Sequence, residues 1–260
     1  MEITKIKEIV EEAEGIKTFR TELEVDAIPG QFVMVWIPDV EEKPLSLSYV
    51  TGNLGITVLA RGPFTNRLHE MKTGELLGIR GPYGRGFEID GNKLLVVGGG
   101  VGMPSLAALA KKALQSDKDV TVIAGAQTKS KLLFVDMLEN AGARVLISTD
   151  DGTQGVKGYA TDILAELLKT ETFDQCYTCG PEIMMHKVMQ QTGESKIPTQ
   201  VSIERYIKCG MGICGHCTID DTGLRVCREG PIFTDKELEN GEFGRYARDA
   251  SGKRVYLKTS

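Results

Sequence analysis

Leu94-Leu95-Val96-Val97-Gly98-Gly99-Gly100-Val101-Gly102-Met103-Pro104, with the alanine- and leucine-rich stretch Leu106 to Leu114 behind it, decides the fold. Four consecutive apolar residues suit a strand buried on both faces, the glycines suit a tight turn, and the Ala/Leu run suits a helix. The alternation then continues, with a strand at Val120 to Ala124, a helix around Leu132 to Asn140, a strand at Arg144 to Ser148, a helix at Thr161 to Leu168 and a strand near Gln175 to Thr178. Alternating strands and helices predict a parallel α/β sheet. Glycines at the end of the first strand let a diphosphate approach the backbone, where helix N-terminal N–H groups and the helix dipole favour an anion. The run departs from G-x-G-x-x-G, because Ser105 stands where a third glycine would fall counting from Gly100, and Pro104 opens the helix. A tight βα turn with no ligand is the alternative.

Upstream, residues 1 to about 90 have a different texture. Phe32 to Ile37, Leu45 to Val50 and Gly55 to Leu59 are short apolar or alternating runs, punctuated by Pro29-Gly30, Pro38, Gly52-Asn53 and Gly62-Pro63. That spacing predicts antiparallel strands closed into a small β-barrel, interrupted by one helix at Thr65 to Met71. After residue 200 the chain turns cysteine-rich, then polar and glycine-rich. The expected division is a barrel over 1–90, an α/β domain over 91–200 and a small cysteine-bearing region over 201–260, an organisation that 260 residues can accommodate.

Composition excludes several partners. Lys+Arg 31 against Asp+Glu 36 gives a net charge of -5, without the basic excess that phosphate-backbone binding needs, so no nucleic acid is expected. No apolar run approaches the ~20 residues of a membrane span, and MEITKIKEIVEEAEG has no apolar signal core. The expectation is a cytoplasmic protein with no membrane partner. In a reducing compartment six cysteines read as metal ligands or redox groups rather than disulfides.

The most specific signal is Cys209-Gly-Met-Gly-Ile-Cys214-Gly-His-Cys217 followed by Cys227, giving C-x4-C-x2-C-x9-C. The first three spacings match the plant-type 2Fe-2S loop, so Cys209, Cys214, Cys217 and Cys227 are the expected cluster ligands. Gly210, Gly212 and Gly215 would let backbone N–H groups turn toward the cluster. A structural zinc, more commonly held by paired C-x2-C units, is the alternative. With four cysteines present, His216 reads as a surface or hydrogen-bonding residue. Cys176-Tyr-Thr-Cys179 has redox-dithiol spacing, yet its first cysteine ends an apolar strand, so Cys176 is expected to pack in a core. Thr149-Asp150-Asp151-Gly152-Thr153-Gln-Gly155-Val-Lys-Gly158 carries an acidic pair with no third carboxylate nearby, which suits a ligand-bonding or capping loop rather than a metal site. His69 and His186 fall in helical segments, and nothing pairs either with a nucleophile.

Three further segments carry information through their order: Lys43-Pro44-Leu45-Ser46-Leu47-Ser48, then Arg61-Gly-Pro-Phe64-Thr65-Asn-Arg-Leu68, then Gly81-Pro-Tyr-Gly-Arg-Gly-Phe87. With the glycine loop and Cys179-Gly180-Pro181 they resemble the ferredoxin reductase superfamily over about residues 1–200. The resemblance implies FAD contacts at Pro44, Leu45 and Ser46, with Lys43 where arginine is usual, so that the bidentate fork is lost. It also implies FAD ribityl and diphosphate contacts at Leu59, Ala60, Arg61, Phe64 and Thr65. Gly98, Gly99, Gly100 and Gly102 match the nicotinamide diphosphate loop, and Cys179, Gly180 and Pro181 the segment beside the nicotinamide. Nicotinamide C4 would then meet flavin N5 near Cys179, with Ser46 or a neighbouring N–H bonding N5, making Ser46 and Cys179 the expected catalytic residues.

Adding Ile203-Glu204-Arg-Tyr-Ile-Lys-Cys209 through Val226-Cys227-Arg-Glu-Gly-Pro231-Ile-Phe233, the chain is similar to the electron-transfer subunits of the dihydroorotate dehydrogenase B family. The chemistry agrees: nicotinamide exchanges a hydride, a cluster passes one electron, and a flavin interconverts the two. No base or pocket motif for an organic substrate is present. The resemblance therefore implies an FMN-containing catalytic partner that oxidises dihydroorotate to orotate, in a heterotetramer of two of each subunit, with electrons passing through the cluster and FAD to NAD+. Related subunits serve hydrogenases, sulfide dehydrogenases and ferredoxin:NADP reductases, and a zinc-stabilised nucleotide-binding interaction protein is the reading of another class. Gln127, Thr128, Lys129 and Lys131 follow the second α/β strand where a 2′-phosphate would sit, and NAD is expected over NADP on resemblance alone.

Overall fold

Alternation of apolar and charged residues makes strands of the first two segments, β1 (Glu2–Ala13) and β2 (Ile16–Asp26), whose Ile6, Ile16 and Phe19 turn inward. A computed structural model describes residues 1–257 of the chain. β3 (Phe32–Ile37), β4 (Glu41–Tyr49), β5 (Thr51–Leu59) and, after helix α1 (Pro63–Glu70), β6 (Leu76–Tyr83) complete a closed antiparallel barrel in the order β1-β2-β5-β4-β3-β6. Closure pairs every strand on both sides over at least part of its length, with β4 and β5 joined only at Leu47↔Ile56 and Tyr49↔Gly55. Val33, Val35, Leu47, Leu54, Ile56, Leu77 and Ile79 fill its interior, and α1 adds Phe64 and Leu68.

The expected helix at Thr65 to Met71 begins two residues earlier. Pro63 takes the first helical position, which needs no N–H, and Gly62 is the N-cap. Thr65 is thus third in the helix, and its Oγ1 accepts from the N–H groups of Arg61 at 2.9 Å and Gly62 at 3.0 Å.

The second half is β7 (Lys93–Gly99), α2 (Met103–Leu114), β8 (Asp119–Ala126), α3 (Val135–Asn140), β9 (Arg144–Thr149), β10 (Val156–Lys157), α4 (Ala160–Leu167), β11 (Gln175–Cys179), α5 (Glu182–Glu194) and β12 (Thr199–Ser202). These strands run parallel in the order β10-β9-β8-β7-β11-β12. The apolar run of β7 serves both faces: Leu94 and Val96 pack on the side of Leu106 and Leu138, Leu95 and Val97 on the side of Leu164 and Val188. α3 is shorter than the expected Leu132 to Asn140, because Phe134 takes a left-handed conformation at φ 59° and only Val135 onward can wind as helix. α4 starts one residue before the expected Thr161.

Beyond residue 200 the chain does not leave the sheet at once. β13 (Ile232–Thr234) returns antiparallel to β12 and forms its outer edge, followed by α6 (Asp235–Leu238) and the hairpin β14 (Tyr246–Arg248) and β15 (Arg254–Tyr256). A third core joins Phe32 and Met34 of the barrel, Met185 of α5, and Ile203, Ile219, Val226, Phe233 and Phe243. At its margin Arg205, 3% exposed, bonds Glu182 at 2.7 Å and Glu242 at 2.6 Å, and Glu242 is itself 1% exposed. The free oxygen of Glu242 accepts from the Asp220 N–H, and Glu182 Oε1, which Arg205 also reaches, accepts from the Gly244 N–H. The final segment, polar in sequence, is a strap: Asp220 also gathers Arg248, Arg254 and the Tyr246 hydroxyl. No helix among the described residues is long and apolar enough to cross a membrane.

Removing the guanidinium would strand two enclosed carboxylates, a change of the kind that costs about 3–5 kcal/mol. Arg205→Ala is expected to lower the urea midpoint by the corresponding amount, and a midpoint within ~0.5 kcal/mol of the parent would show that solvent already shields these charges.

Candidate functional site

Strand order reverses direction between β7 and β11, and ligands of such sheets bind outside the carboxyl ends at that point. Those ends are Gly98-Gly99, leading into the 3-10 turn Gly100–Gly102, and Cys179-Gly180-Pro181, leading into α5. A Cβ on Gly102 would lie 2.4 Å from the Cys179 carbonyl oxygen, and one on Gly98 would lie 2.0 Å from Met103 Sδ. Gly102 is therefore required by the contact of the turn with β11, and Gly98 by the packing of α2 through Met103. Gly100, at φ +52° with no atom within 4 Å of where a Cβ would stand, is the one that leaves open backbone for a ligand. Ser105 replaces the expected third glycine for a visible reason: its Oγ bonds the Gly102 carbonyl at 3.2 Å, and it also lies at hydrogen-bond range of Cys179.

Cys179 is buried, and burial, then the charge of Glu204, pushes its thiol up to about 11 against weaker hydrogen bonds from Ser105 and Ser202. Burial likewise raises Cys176. Both cysteines of the C-x2-C are neutral thiols in a strand, with no disulfide between them. Glu204 did not stand out in the sequence as a site residue. Solvent reaches it, yet protein surrounds it on most sides; that enclosure, opposed by Arg61 and reinforced by Glu182, raises its pKa. Its charge couples to both Arg61 of the barrel and Cys179, and only the tertiary fold makes these neighbours.

The barrel opens toward this point. β4 pairs with β5 only at Leu47↔Ile56 and Tyr49↔Gly55, so the half that carries Lys43, Pro44, Leu45 and Ser46 bonds to β3 alone. α2 packs over β4 and the glycine turn reaches β5. Ser46 is exposed, Pro44, Leu45, Leu59 and Ala60 are half-buried, and Arg61 is exposed. Ser48 Oγ, two residues along β4 from Ser46, is buried without a partner. Phe64 turns its ring into the barrel core, leaving only its backbone to a ligand. The first-turn N–H groups of Phe64 and Thr65 have no carbonyl in the helix to donate to. An open strand edge, an orphaned hydroxyl, helix N–H groups and Arg61 fit an elongated polar group carrying a diphosphate, as FAD does. The ammonium of Lys43 is committed on another side, to Glu41 at 2.9 Å and the Tyr206 hydroxyl at 3.3 Å.

The four remaining cysteines lie in the loop between β12 and β13. Cys209 lies beside Cys214, and Cys227 beside Cys217, whose sulfur accepts from the Cys227 N–H at 3.4 Å. Among the described residues no three Cys, His, Asp or Glu side chains converge as they would on a single ion. Two pairs suit two irons with two thiolates each better than one tetrahedral zinc. N–H groups point at the sulfurs, from Gly212 to Cys227 at 3.1 Å and from Ile213 to Cys209 at 3.4 Å. Burial pushes the Cys209 thiol up, but N–H donors of Cys214, Met211 and Ile213 outweigh it and bring it to about 6, a value that favours the thiolate a metal takes. Burial, then the Cys217 contact, pushes Cys227 up to about 12 in the absence of metal. Gly210, Gly212 and Gly215 all adopt positive φ, as the turn requires. His216 is neither freely exposed nor hydrogen-bonded: its Nε2 is buried without a partner and its ring stands edge-on to Tyr206 at 5.4 Å.

The loop after β9 holds no metal-like cluster. Asp151 accepts from the Thr153 N–H and hydroxyl, which hold its carboxyl below the usual range, and Lys131 is bonded to Gln127 at 2.6 Å.

Residues 204–239 match the family model described as the iron-sulfur cluster binding domain of dihydroorotate dehydrogenase B. The chain is 48% identical over 255 residues, 98% of each chain, to a protein of Methanocaldococcus jannaschii named "probable dihydroorotate dehydrogenase B (NAD(+)), electron transfer subunit". A protein of Methanothermobacter thermautotrophicus with the same name is 49% identical, covering 98% of this chain and 97% of its own. Among solved structures, one of an NADH-dependent reduced ferredoxin-NADP oxidoreductase superposes with TM-score 0.82 at 30% identity, over 91% of this chain and 90% of the other. The ferredoxin reductase of carbazole 1,9a-dioxygenase shares the fold at TM-score 0.65 and 20% identity, over 74% and 64%.

Gly102→Ala should lower the melting midpoint by an amount equivalent to about 1–3 kcal/mol, since a backbone carbonyl cannot move aside, whereas Gly100→Ala should cost only the ~1 kcal/mol of a left-handed residue. Equal losses in thermal unfolding would refute that division of labour. Iodoacetamide should leave Cys179 unmodified from pH 7 to 9 and begin to label it only as pH nears its raised pKa of about 11; mass-spectrometric labelling at pH 7 would contradict a neutral buried thiol.

Proposed function

This chain belongs to the family of dihydroorotate dehydrogenase B electron transfer subunits, and from that premise we propose that it carries electrons from the FMN of a catalytic partner, which oxidises dihydroorotate to orotate in UMP synthesis, to NAD+. It is an oxidoreductase component, and the catalytic partner is implied by the family. We further infer a cytoplasmic assembly of two copies of each subunit.

FAD, a 2Fe-2S cluster and NAD+ supply the redox chemistry, the flavin converting single electrons into the pair that nicotinamide accepts. Cys209, Cys214, Cys217 and Cys227 hold the cluster. Pro44, Leu45 and Ser46 lie along the flavin, with Ser46 or a nearby N–H as donor toward its N5; Leu59, Ala60, Arg61 and the backbone of Phe64 and Thr65 hold its ribityl and diphosphate. Gly98, Gly99, Gly100 and Gly102 let the nicotinamide diphosphate lie against the turn. Cys179, Gly180 and Pro181 wall the nicotinamide, and the neutral Cys179 thiol packs there without donating or taking a proton at neutral pH. What supports this reading most is one juxtaposition: Ile203 to Lys208 runs from the end of β12, beside Cys179 and Arg61, directly into the two thiol pairs. A second reading, a subunit of an NADH-dependent ferredoxin-NADP oxidoreductase, is favoured by the structural likeness at 30% identity; the relatives near 48% identity favour the first.

The test is anaerobic. The protein is mixed with the same organism's dihydroorotate-oxidising subunit, dihydroorotate and NAD+, and NADH absorbance is followed. NADH formation that needs both proteins is the expected result; none, from cofactor-loaded protein and a partner active with another acceptor, moves the assignment to the second reading. Cys214→Ser should abolish transfer to the partner while NADH oxidation by a flavin-level acceptor persists, and loss of both would make the cluster chiefly structural. Ile213, 78% exposed at the tip of the cluster loop, should face the partner. Ile213→Glu is then expected to weaken the complex by about tenfold or more in sedimentation or interferometry, and unaltered affinity would exclude this face.

A further inference from the structure

Glu42 and Lys43, at the head of the β4 segment that lies along the flavin, are each tied to the cluster loop through a different residue. Glu42 binds both Nε and Nη2 of Arg80, at 2.8 and 2.6 Å, and the same guanidinium donates to the Cys209 carbonyl at 3.3 and 3.4 Å. Lys43 donates to the Tyr206 hydroxyl, and the Tyr206 ring stands against His216. Cys209 and His216 lie at opposite ends of the loop that carries the first three thiols. The two ties leave adjacent residues of one half-strand, the half with no β5 partner. A carboxylate gripping two guanidinium nitrogens holds them in plane and in place, so the tie at Cys209 is rigid.

We propose that Glu42–Arg80 and Lys43–Tyr206 form a two-point latch that fixes the cluster loop against the flavin segment, making Arg80 and Tyr206 positioning residues for single-electron exchange between cluster and flavin. This rests on the assignment of the cluster to the four thiols and of the flavin to β4. In the exchange, the one electron that the cluster loses is the one the flavin gains, with no bond made or broken. Arg80 has a second effect: it sets a fixed positive charge and N–H donors one carbonyl from a ligating sulfur. Such donors favour the reduced cluster, which carries one more negative charge.

The experiment is a redox titration of the cofactor-loaded full chain, reading the cluster by electron paramagnetic resonance and the flavin by absorbance. Arg80→Met should lower the cluster potential and shift the electron-sharing equilibrium about tenfold toward the flavin, ~59 mV for a one-electron couple, with the flavin potential unmoved. Arg80→Lys, which keeps the charge, should recover most of the shift. Tyr206→Phe keeps the ring on His216 but removes the hydroxyl that Lys43 bonds, and should slow cluster-to-flavin transfer several-fold in stopped-flow. Combined with Arg80→Met it should slow transfer more than the two effects added, because either tie alone still restrains the loop. Parent-like potentials and rates in variants that hold full flavin and cluster would overturn the latch. A parent chain that binds no flavin or no two-iron cluster would instead remove the assignment beneath it. If Arg80→Met does not load, Arg80→Gln is titrated in its place: a lowered cluster potential supports the latch and an unchanged one overturns it.

Discussion

Arg205 sits where three parts of the molecule meet. Its guanidinium joins Glu182, the residue that opens α5 directly after Cys179-Gly180-Pro181, to Glu242 on the C-terminal strap, and Arg205 itself begins the segment that runs to Cys209. One cation between two enclosed carboxylates would leave an excess negative charge, and the N–H groups of Asp220 and Gly244 offset it. The geometry of the cluster loop relative to the end of β11 depends on this group of charges. Its neighbour Glu204 is thereby held in the cleft beside Cys179, and the first of the four thiols, Cys209, follows five residues later.

Two kinds of constraint then act on the same cleft. At the sheet, backbone packs directly on backbone: Gly102 meets the Cys179 carbonyl with no room for a Cβ, so the turn and β11 move as one body. At the barrel the opposite holds. β4 leaves β5 after two paired positions, and the freed half-strand offers open edge, side chains and the Glu42 and Lys43 ties. A rigid nucleotide-side turn facing an opened strand suits a site that must bring two extended cofactors together without motion of the chain between them.

Much of this was legible from local pattern. The apolar run before Gly98 announced a strand buried on both faces, and the cysteine spacing announced a loop in which glycines take positive φ. Other readings needed revision because the deciding force is not local. Thr65 is third in α1, since Pro63 can occupy the first helical turn without an N–H. Of the glycines read as room for a phosphate, Gly102 makes room for β11 and Gly98 for the Met103 side chain, while Gly100 stays open. Lys43, which stands where the resemblance has arginine, bonds Glu41 and also the Tyr206 hydroxyl, a contact across 163 positions of chain. Residues 242–257, in the polar and glycine-rich end of the sequence, strap the cluster region through Glu242 and the partners of Asp220.

By itself the sequence determined the strand, turn and helix grammar of both halves and the four thiols at cluster spacing, because hydrophobic period, glycine conformation and ligand spacing are properties of a few consecutive residues. The tertiary structure alone decided that Glu204, Arg61 and Cys179 share a cleft, that the thiols divide into pairs, and that Arg80 and Tyr206 tie the barrel to the cluster loop. Apart from the thiol pairs, those are meetings of residues far apart along the chain. Charge, burial and hydrogen-bond geometry act through space, so they arise only once both sheets have closed.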